Sequence, residues 1–480
     1  MYIGKNYYPT ETMYQTLTKH DMDQIHMATM RVLQEKGMIL QHPGAVEMLK
    51  KAGAIVKDEN KVFLPRALVE WALKQAPSGV TIYNRDGDPT LFLEDRNVFF
   101  GTGSDTMLLF DYETREGNYW TKDMLLDAIR VADELPHIDY LMSMGCIRDV
   151  DLAMIAREQY SLMIKNSSKP HVIVCETKEE LEDVFLMYAE VRGGKEELRL
   201  KPYGVVYNEP TSPLLHTKEP IEKLLLCADY GMPSNYATGG LAGATTPVTA
   251  AGTIVLSNAE CLFGLVIHQV YKAGAPFIYG YCNSPMDMKT VQSAYGVPLA
   301  IQIQNGMCDM ARYYKLPSWG EAGDSCSKIC DEQSALEAMQ LLQMAAIQGC
   351  NLIHDVGYMN FGLGFSLEHL VICNEIIGRV KEVMKGVEIS EETLSVNSIL
   401  NVEFNGDFLR DKLTKKNLRT LWRGELSDFN TYQEWQQQGS TTMGERAHEK
   451  VKHILANHQA AELDPTIAKA IDTIVERARK

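Results

Sequence analysis

From about residue 97 the hydrophobic positions fall into a repeat. A short run of β-branched or aromatic residues ends at a glycine or polar stop, and a helical pattern of about 10 to 20 residues follows. The runs are NVFFGTG (97–103), DYLMSMGC (139–146), PHVIVCE (170–176), PYGVVYNE (202–209), PSNYATGG (233–240), PFIYGYC (276–282), PSWGEAG (317–323) and NLIHDVG (351–357). Between them lie amphipathic stretches such as TKDMLLDAIRVADEL, KEELEDVFLMYAEV and DEQSALEAMQLLQMAAIQG. Eight strand–helix units in residues 96–380 predict a (β/α)8 TIM barrel, a fold of roughly 250 residues before loop insertions. An open doubly wound sheet is the alternative, but no G-x-G-x-x-G fingerprint follows the first strand.

The flanks read differently. Residues 1–95 predict an N-terminal α/β cap, with helices ended by Gly37, Gly53 and Pro77 and a hairpin turning at Asp86-Gly87. Residues 381–480, rich in Lys, Glu and Gln, predict a C-terminal helical extension packed on the barrel wall or on a partner subunit.

Composition narrows the function. In 480 residues, 45% are hydrophobic, enough for a large core, and the formal charge of -16 opposes both nucleic acid and an anionic membrane. The N-terminus lacks a signal-peptide pattern and no long uninterrupted apolar run occurs, so the expected location is cytoplasmic, with no membrane. Ten scattered cysteines fit a reducing compartment. Cys326 and Cys330 would share a helix face at i, i+4 spacing, but two thiols alone fall short of a zinc site.

In such a barrel the carboxyl ends of the strands form the floor of the active site. The polar residues there are Asp105, Glu176, Asn208, Glu209, Tyr281, Glu321, His354 and Asp355, with the aromatics Tyr207, Tyr279 and Trp319. Strand alternation puts Trp319 with Glu321, Tyr279 with Tyr281, and Tyr207 with Glu209 on shared faces. Carboxylates among aromatics suit an organic cation, because a quaternary ammonium donates no N–H hydrogen bond and is held by ring faces and negative field. Metal chemistry is the rival use. The first strand has no histidine pair, His171 starts its strand at the opposite end, and His268 lies in a helix. No metal is therefore expected, and a zinc-thiolate site drawing on Cys146, Cys175 or Cys282 is the remaining form of that alternative. Ser104 beside Asp105 lacks a nucleophile-elbow pattern.

Several longer motifs carry a family likeness. GGLAGATTPVTAAGTIVLSNAECLFGLVIHQVYKAGAPFIYG (239–280), EPTSPL (209–214), EAGDSCSKICDEQSALE (321–337), NLIHDVG and the N-terminal LTKHDMDQIHMATMRVLQEKGM resemble the trimethylamine methyltransferase family across essentially the whole chain. The resemblance implies a barrel enzyme that passes a methyl group from a methylamine to the cobalt(I) of a separate corrinoid (cobalamin) protein, with no tightly bound cofactor of its own. The archaeal trimethylamine enzymes of that family carry pyrrolysine, and this chain has only standard residues. It is therefore similar to the pyrrolysine-lacking branch, which implies glycine betaine, proline betaine or carnitine as substrate. A quaternary nitrogen already leaves as a neutral amine, so the protein's work is positioning and water exclusion.

On that reading His354, Glu321 and Glu209 are the expected catalytic residues, with His354 set against the substrate carboxylate and the two glutamates supplying negative field. Trp319, Tyr281, Tyr207 and Tyr279 would box the cation, Asp355 and Glu176 would line the pocket, and Arg148 would meet the carboxylate of a betaine. The expected partners are the cognate corrinoid protein and a second copy in a homo-oligomer. A non-catalytic cation-binding barrel and a metal-dependent hydrolase or lyase remain the alternatives.

Overall fold

The computed structural model describes residues 14–479, together with a short strand pair at Tyr2–Ile3 and Asn6–Tyr7. Seven of the eight predicted runs form one parallel sheet: β1 (Phe99–Thr102), β2 (His171–Ile173), β3 (Gly204–Val206), β4 (Ser234–Thr238), β5 (Phe277–Tyr281), β6 (Ser318–Glu321) and β7 (Leu352–Val356). The order across the sheet is β2-β3-β4-β5-β6-β7-β1, and the sheet curls so that its two edges approach the same segment.

That segment is the run 139–146, which is not a ladder strand. It makes one parallel bridge to each edge, Gly101 with Tyr140 and Leu141 with His171. Backbone bonds still tie it to both edges, among them the Leu141 N–H to the Pro170 carbonyl at 3.0 Å and the Met144 N–H to the Gly103 carbonyl at 2.9 Å. Side chains supplement them: the Asp139 carboxylate accepts from the Phe100 N–H at 3.0 Å, and the Thr102 hydroxyl accepts from the Met142 N–H at 2.8 Å. Met144, at φ 61°, then turns the chain out of extended geometry.

The helices between the strands are α1 (Lys122–Glu134), α2 (Ile155–Asn166), α3 (Lys178–Arg192), α4 (Lys218–Tyr230), α5 (Ala250–Tyr271), α6 (Pro298–Tyr313) and α7 (Glu332–Gln348), with α8 (Leu367–Met384) after β7. Thr177 and Asp331 close capping boxes at the starts of α3 and α7, and both helices stop at a left-handed glycine, Gly193 and Gly349. α5 is long and apolar enough to cross a membrane by length and composition, but most of it is buried inside the protein. It is apolar on all sides because it is covered on all sides: α4 and α6 flank it, and the helices Lys19–Arg31 and Arg66–Gln75 lie over it.

The described residues form two cores. The larger fills the layer between sheet and helices. The smaller lies inside the curl, where Phe99, Tyr140, Val172, Val205, Ile278, Trp319 and Leu352 meet Ile82, Leu91 and Leu93 of the hairpin Val80–Tyr83/Pro89–Leu93. The predicted hairpin thus plugs the amino end of the sheet. After α8 come α9 (Val396–Asn401), α10 (Lys412–Asn417), α11 (Tyr432–Gln437), α12 (Met443–Asn457) and α13 (Pro465–Ala478). α12 packs on α8 and α1, and α13 on α3 and α2.

Candidate active site

Neighbours in register on a parallel sheet share a face, and this fixes which strand-end residues point into the curl. Trp319 pairs with Leu352 and Glu321 with His354, and Trp319 and Leu352 belong to the inner core. Glu321 and His354 therefore lie above them on the same inner face. Tyr207 and Cys282 pack at the top of that core, and the Tyr207 hydroxyl donates to Glu209 Oε2 at 2.7 Å. The expected pairs Trp319/Glu321 and Tyr207/Glu209 are thus brought together.

Tyr279 and Tyr281 share a face too, but it is the outer one. The Tyr279 hydroxyl donates to Asn258 Oδ1 of α5 at 2.8 Å, and the Tyr281 ring covers Gly320, where an added Cβ would sit 2.6 Å from it. Both belong to the sheet–helix core, so neither walls a cation box. The inward positions of β5 are Ile278 and Gly280, which leaves Cys282, two residues on, as its contribution to the site.

His354 and Asp355 are adjacent in sequence, yet both reach the site. The backbone explains this: Asp355 takes φ 73°, and the β7–β1 register slips between Ile353 and Val356. The bulge adds a residue and re-aims a side chain that a regular strand would send outward. His354 Nδ1 lies 2.7 Å from the Gly320 carbonyl oxygen, which can only accept, so Nδ1 carries the proton. Burial lowers the imidazole to about 3, and it is neutral. Its Nε2 lone pair then faces Cys282 Sγ at 3.5 Å and Asp355 Oδ2 at 3.3 Å. Burial, with the Asp324 charge, lifts the Asp355 carboxyl well above the usual range, so the shared proton rests on Asp355 rather than on an imidazolium.

Acid side chains dominate the surroundings. Burial first and then the charges of Asp324 and Asp355 raise Glu321, whose Oε1 accepts from Gln304 Nε2 at 2.8 Å. Asp324 is buried with neither oxygen hydrogen-bonded, and burial pushes it up to about 7. Nearer the mouth, Asp105, Glu176 and Glu209 remain accessible. Burial nevertheless raises Asp105 and Glu209, and Glu176 adds its repulsion to each. Together they concentrate negative charge at the carboxyl end of the sheet. Cys146 lies beside Asp105 and Glu176, with its thiol raised by burial against the opposing pull of Arg148. The Arg148 residue itself is exposed.

Other expectations resolve into structure. Asn208 is buried, donating to Ser234 Oγ at 2.8 Å. His171 is a neutral histidine of the helix layer, 2.8 Å from the Tyr188 hydroxyl and lowered to about 3 by burial. Cys326 and Cys330 do not share a helix face: 323–331 is irregular, and Cys330 Sγ meets Ser366 Oγ at 3.5 Å while Cys326 is directed to the Ser293 carbonyl. Among the described residues, no three His, Cys, Asp or Glu side chains converge as a metal ligand set. Glu260 of α5 escaped notice in the sequence. It accepts from Ser212 Oγ at 2.6 Å and the Leu214 N–H at 2.7 Å, and so ties down the 209–214 loop that begins with Glu209.

With this geometry in place, comparison with known proteins places the chain. Residues 5–480 match the trimethylamine methyltransferase (MTTB) family. The chain belongs to this family. It is 33% identical to trimethylamine methyltransferase MttB of Methanosarcina thermophila over 465 residues, covering 94% of this chain and 95% of that protein. It is 29% identical to glycine betaine methyltransferase of Desulfitobacterium hafniense, covering 97% and 98%. Its fold resembles the crystal structure of monomethylamine methyltransferase MtmB of Methanosarcina barkeri, with a TM-score of 0.53 at 11% identity, over 98% of this chain and 89% of that one. At that identity the likeness speaks for the fold alone.

Proposed function

We propose that this methyltransferase-family protein moves a methyl group from a quaternary amine of the betaine type to the cobalt(I) of a corrinoid carried by a separate protein, releasing a tertiary amine. The observation that carries this reading is the cluster of Asp105, Glu176 and Glu209, accessible at the carboxyl end of the sheet, with the Tyr207 ring bonded to Glu209 beside them. A permanent cation is attracted there by field and ring faces without needing hydrogen-bond donors. The family membership supports methyl transfer from an amine, and the glycine betaine methyltransferase relative supports the betaine class.

Cobalt(I) supplies the nucleophile, and the departing amine is neutral, so no proton has to move in the transfer itself. The chain's residues position the nitrogen, keep water out and hold the methyl group toward the mouth. Tyr207 walls the cation, Trp319 backs the His354 ring from beneath, Glu209 and Glu321 set the field, the rigid His354–Asp355 pair fixes the orientation, and Arg148 meets the carboxylate. The curled sheet with its bridging segment 139–146 acts as a closed (β/α)8 barrel over 96–380, with 1–95 as a cap and 381–480 as an extension. The protein works in the cytoplasm.

The test is methyl transfer to reduced cobalamin or a cognate corrinoid protein from glycine betaine, proline betaine, carnitine and, as control, trimethylamine. Conversion of the cobalt(I) spectrum to that of methyl-cobalt(III) with one betaine supports the reading. Conversion with trimethylamine alone overturns its substrate class, and no conversion with any amine overturns the reaction.

A further inference from the structure

The loop after β5 carries an aromatic ring that strand periodicity could not place. It folds back as an antiparallel hairpin, Ser284–Asp287 with Gln292–Ser293, and the first of these strands also pairs with Leu241–Ala242 from the loop after β4. The Ala294 N–H closes the hairpin on the Pro285 carbonyl at 2.9 Å, and the chain then runs through Tyr295 and Gly296 into α6. That helix carries Gln304, the residue that holds Glu321.

Two contacts fix where Tyr295 stands. Behind it, Gly296 lies so close to Glu337 of α7 that an added Cβ would collide with the glutamate side chain. Glu337 is itself held, since its Oε2 accepts from the Ser325 hydroxyl at 2.6 Å and from the Cys326 N–H at 2.8 Å. In front, the Tyr295 hydroxyl is 3.3 Å from the point where a Cβ on Gly362 would lie, and the Tyr358 ring is 3.6 Å from the same point. The Tyr358 ring and the Asp355 carboxyl together cover Gly103, and the Tyr358 hydroxyl accepts from the Ser104 N–H at 2.5 Å.

The ring is thereby set against the acids at the ends of β6 and β7. Burial and the charges of Glu321, Asp355 and Asp324 push its phenol well above the usual range. Burial, then Glu209, Cys282 and Asp355, do the same to Tyr207 just after β3. Asp355 thus has a ring from the sheet on one flank and a ring from this loop on another. Among the described residues, no lysine or arginine acts on Glu321, Asp324 or Asp355. Tyr295 stays partly exposed, so ring surface is left for a ligand beside acids that have no cation of their own.

We infer that Tyr295 closes the cation site, supplying over Glu321 and Asp355 the ring wall that Tyr279 and Tyr281, turned outward, do not. The inference rests on the quaternary-amine reading and names the residue that gives it selectivity. A fully methylated nitrogen presents its charge through methyl groups, which a ring face meets at van der Waals contact, whereas a protonated amine spends its N–H on a carboxylate. Tyr295 therefore favours the methylated cation over a protonated one of equal charge.

Isothermal titration calorimetry of the full chain at neutral pH tests this with glycine betaine, tetramethylammonium and N,N-dimethylglycine, whose protonated nitrogen keeps one N–H. Tyr295→Leu should weaken both quaternary probes by about 5- to 30-fold and narrow the preference over dimethylglycine. Tyr295→Phe keeps the ring face and should stay within about threefold of wild type. Phenylalanine with one, two or three ring fluorines at position 295 should lower affinity for the quaternary probes stepwise, because each fluorine draws negative charge from the ring face while the packing is kept. A wild type that binds the quaternary probes with an affinity indifferent to the fluorine series overturns the inference and leaves the quaternary-amine reading standing. A wild type that binds neither quaternary probe overturns that reading and this inference with it.

Discussion

The imidazole of His354 lies against the indole of Trp319, with ring centroids 4.2 Å apart and planes 29° from parallel. One ring therefore fixes the plane of the other, and the Gly320 carbonyl at 2.7 Å fixes its rotation. The site gains a rigid acceptor nitrogen aimed at Cys282 and Asp355. Such rigidity matters for a transfer that depends on alignment, where misplacement of about 1 Å can cost roughly 100-fold. We predict that His354→Ala lowers kcat/KM by about 100-fold, and Trp319→Phe, which keeps a stacking ring, by about 10-fold. Because burial holds His354 near 3, the wild-type profile should show no imidazole limb between about pH 5.5 and 8. A limb lost in His354→Ala would contradict the neutral assignment.

The acidic mouth gives a pH dependence of opposite origin. Burial raises Asp105 and Glu209, so each loses its charge at a higher pH than an ordinary carboxylate. A bound cation favours the ionised form, so affinity must fall as pH falls through those raised values. For a quaternary amine, whose own charge is permanent, KM should rise as the pH is lowered from neutrality, beginning at a higher pH than an ordinary carboxylate would give, and Glu209→Gln should flatten the curve. A KM that stays constant down to the acid limit of the folded protein would remove these carboxylates from the site.

Asp355 offers a backbone test. At φ 73° a residue with a Cβ is strained, and Asn and Gly tolerate the region best. Asp355→Gly and Asp355→Asn should keep wild-type thermal stability while losing activity. Asp355→Val should unfold more easily by about 1–3 kcal/mol. Equal melting temperatures for the glycine and valine variants would show that the bulge is unstrained.

Much of the fold was legible because it rests on local patterns. The strand runs, helix caps and glycine stops mark seven sheet strands, and NLIHDVG correctly brings His354 and Asp355 to one place. The limits are physical. Alternation tells which residues share a face but not which face, so Tyr279 and Tyr281 were grouped correctly and assigned to the wrong side. The phase is set by the neighbour: Gly280 lies in register with the bulky inward Trp319, which makes Cys282 the inward residue at the end of β5. Nor could alternation foresee the bulge at Asp355, where the period of two breaks, or the side-chain bonds of Asp139 and Thr102 that help hold 139–146 between the two edges.

The corrected placement of Tyr279 has its own consequence. Tyr279→Phe removes a buried hydroxyl bonded to Asn258 Oδ1 and should cost about 1–2 kcal/mol of stability with KM unchanged. Tyr207→Phe frees Glu209 from its 2.7 Å donor and should change KM with little effect on melting. The reverse pattern in chemical denaturation and kinetics would return Tyr279 to the cation site.

Asp324 ties stability to the same chemistry. Both its oxygens are buried without partners, and burial, with the charge of Glu337, lifts it from 3.8 to about 7. Between those values the folded protein holds a proton that the unfolded chain has released, so this group's contribution to stability declines as pH rises from 3.8 to 7, and above 7 its penalty is complete. Asp324→Asn removes the charge and should be more stable than wild type at pH 8, by about 2–4 kcal/mol at most, with the gain gone at pH 4. A variant less stable at pH 8 would mean that the carboxylate is paired. The substitution should also reach the active site, because the Asp324 charge raises both Glu321 and Asp355. With that charge gone, Glu321 and Asp355 ionise at lower pH and add negative field, so at neutral pH the variant should show a lower KM for a quaternary amine than wild type. A stability gain without that fall in KM would confine Asp324 to the core.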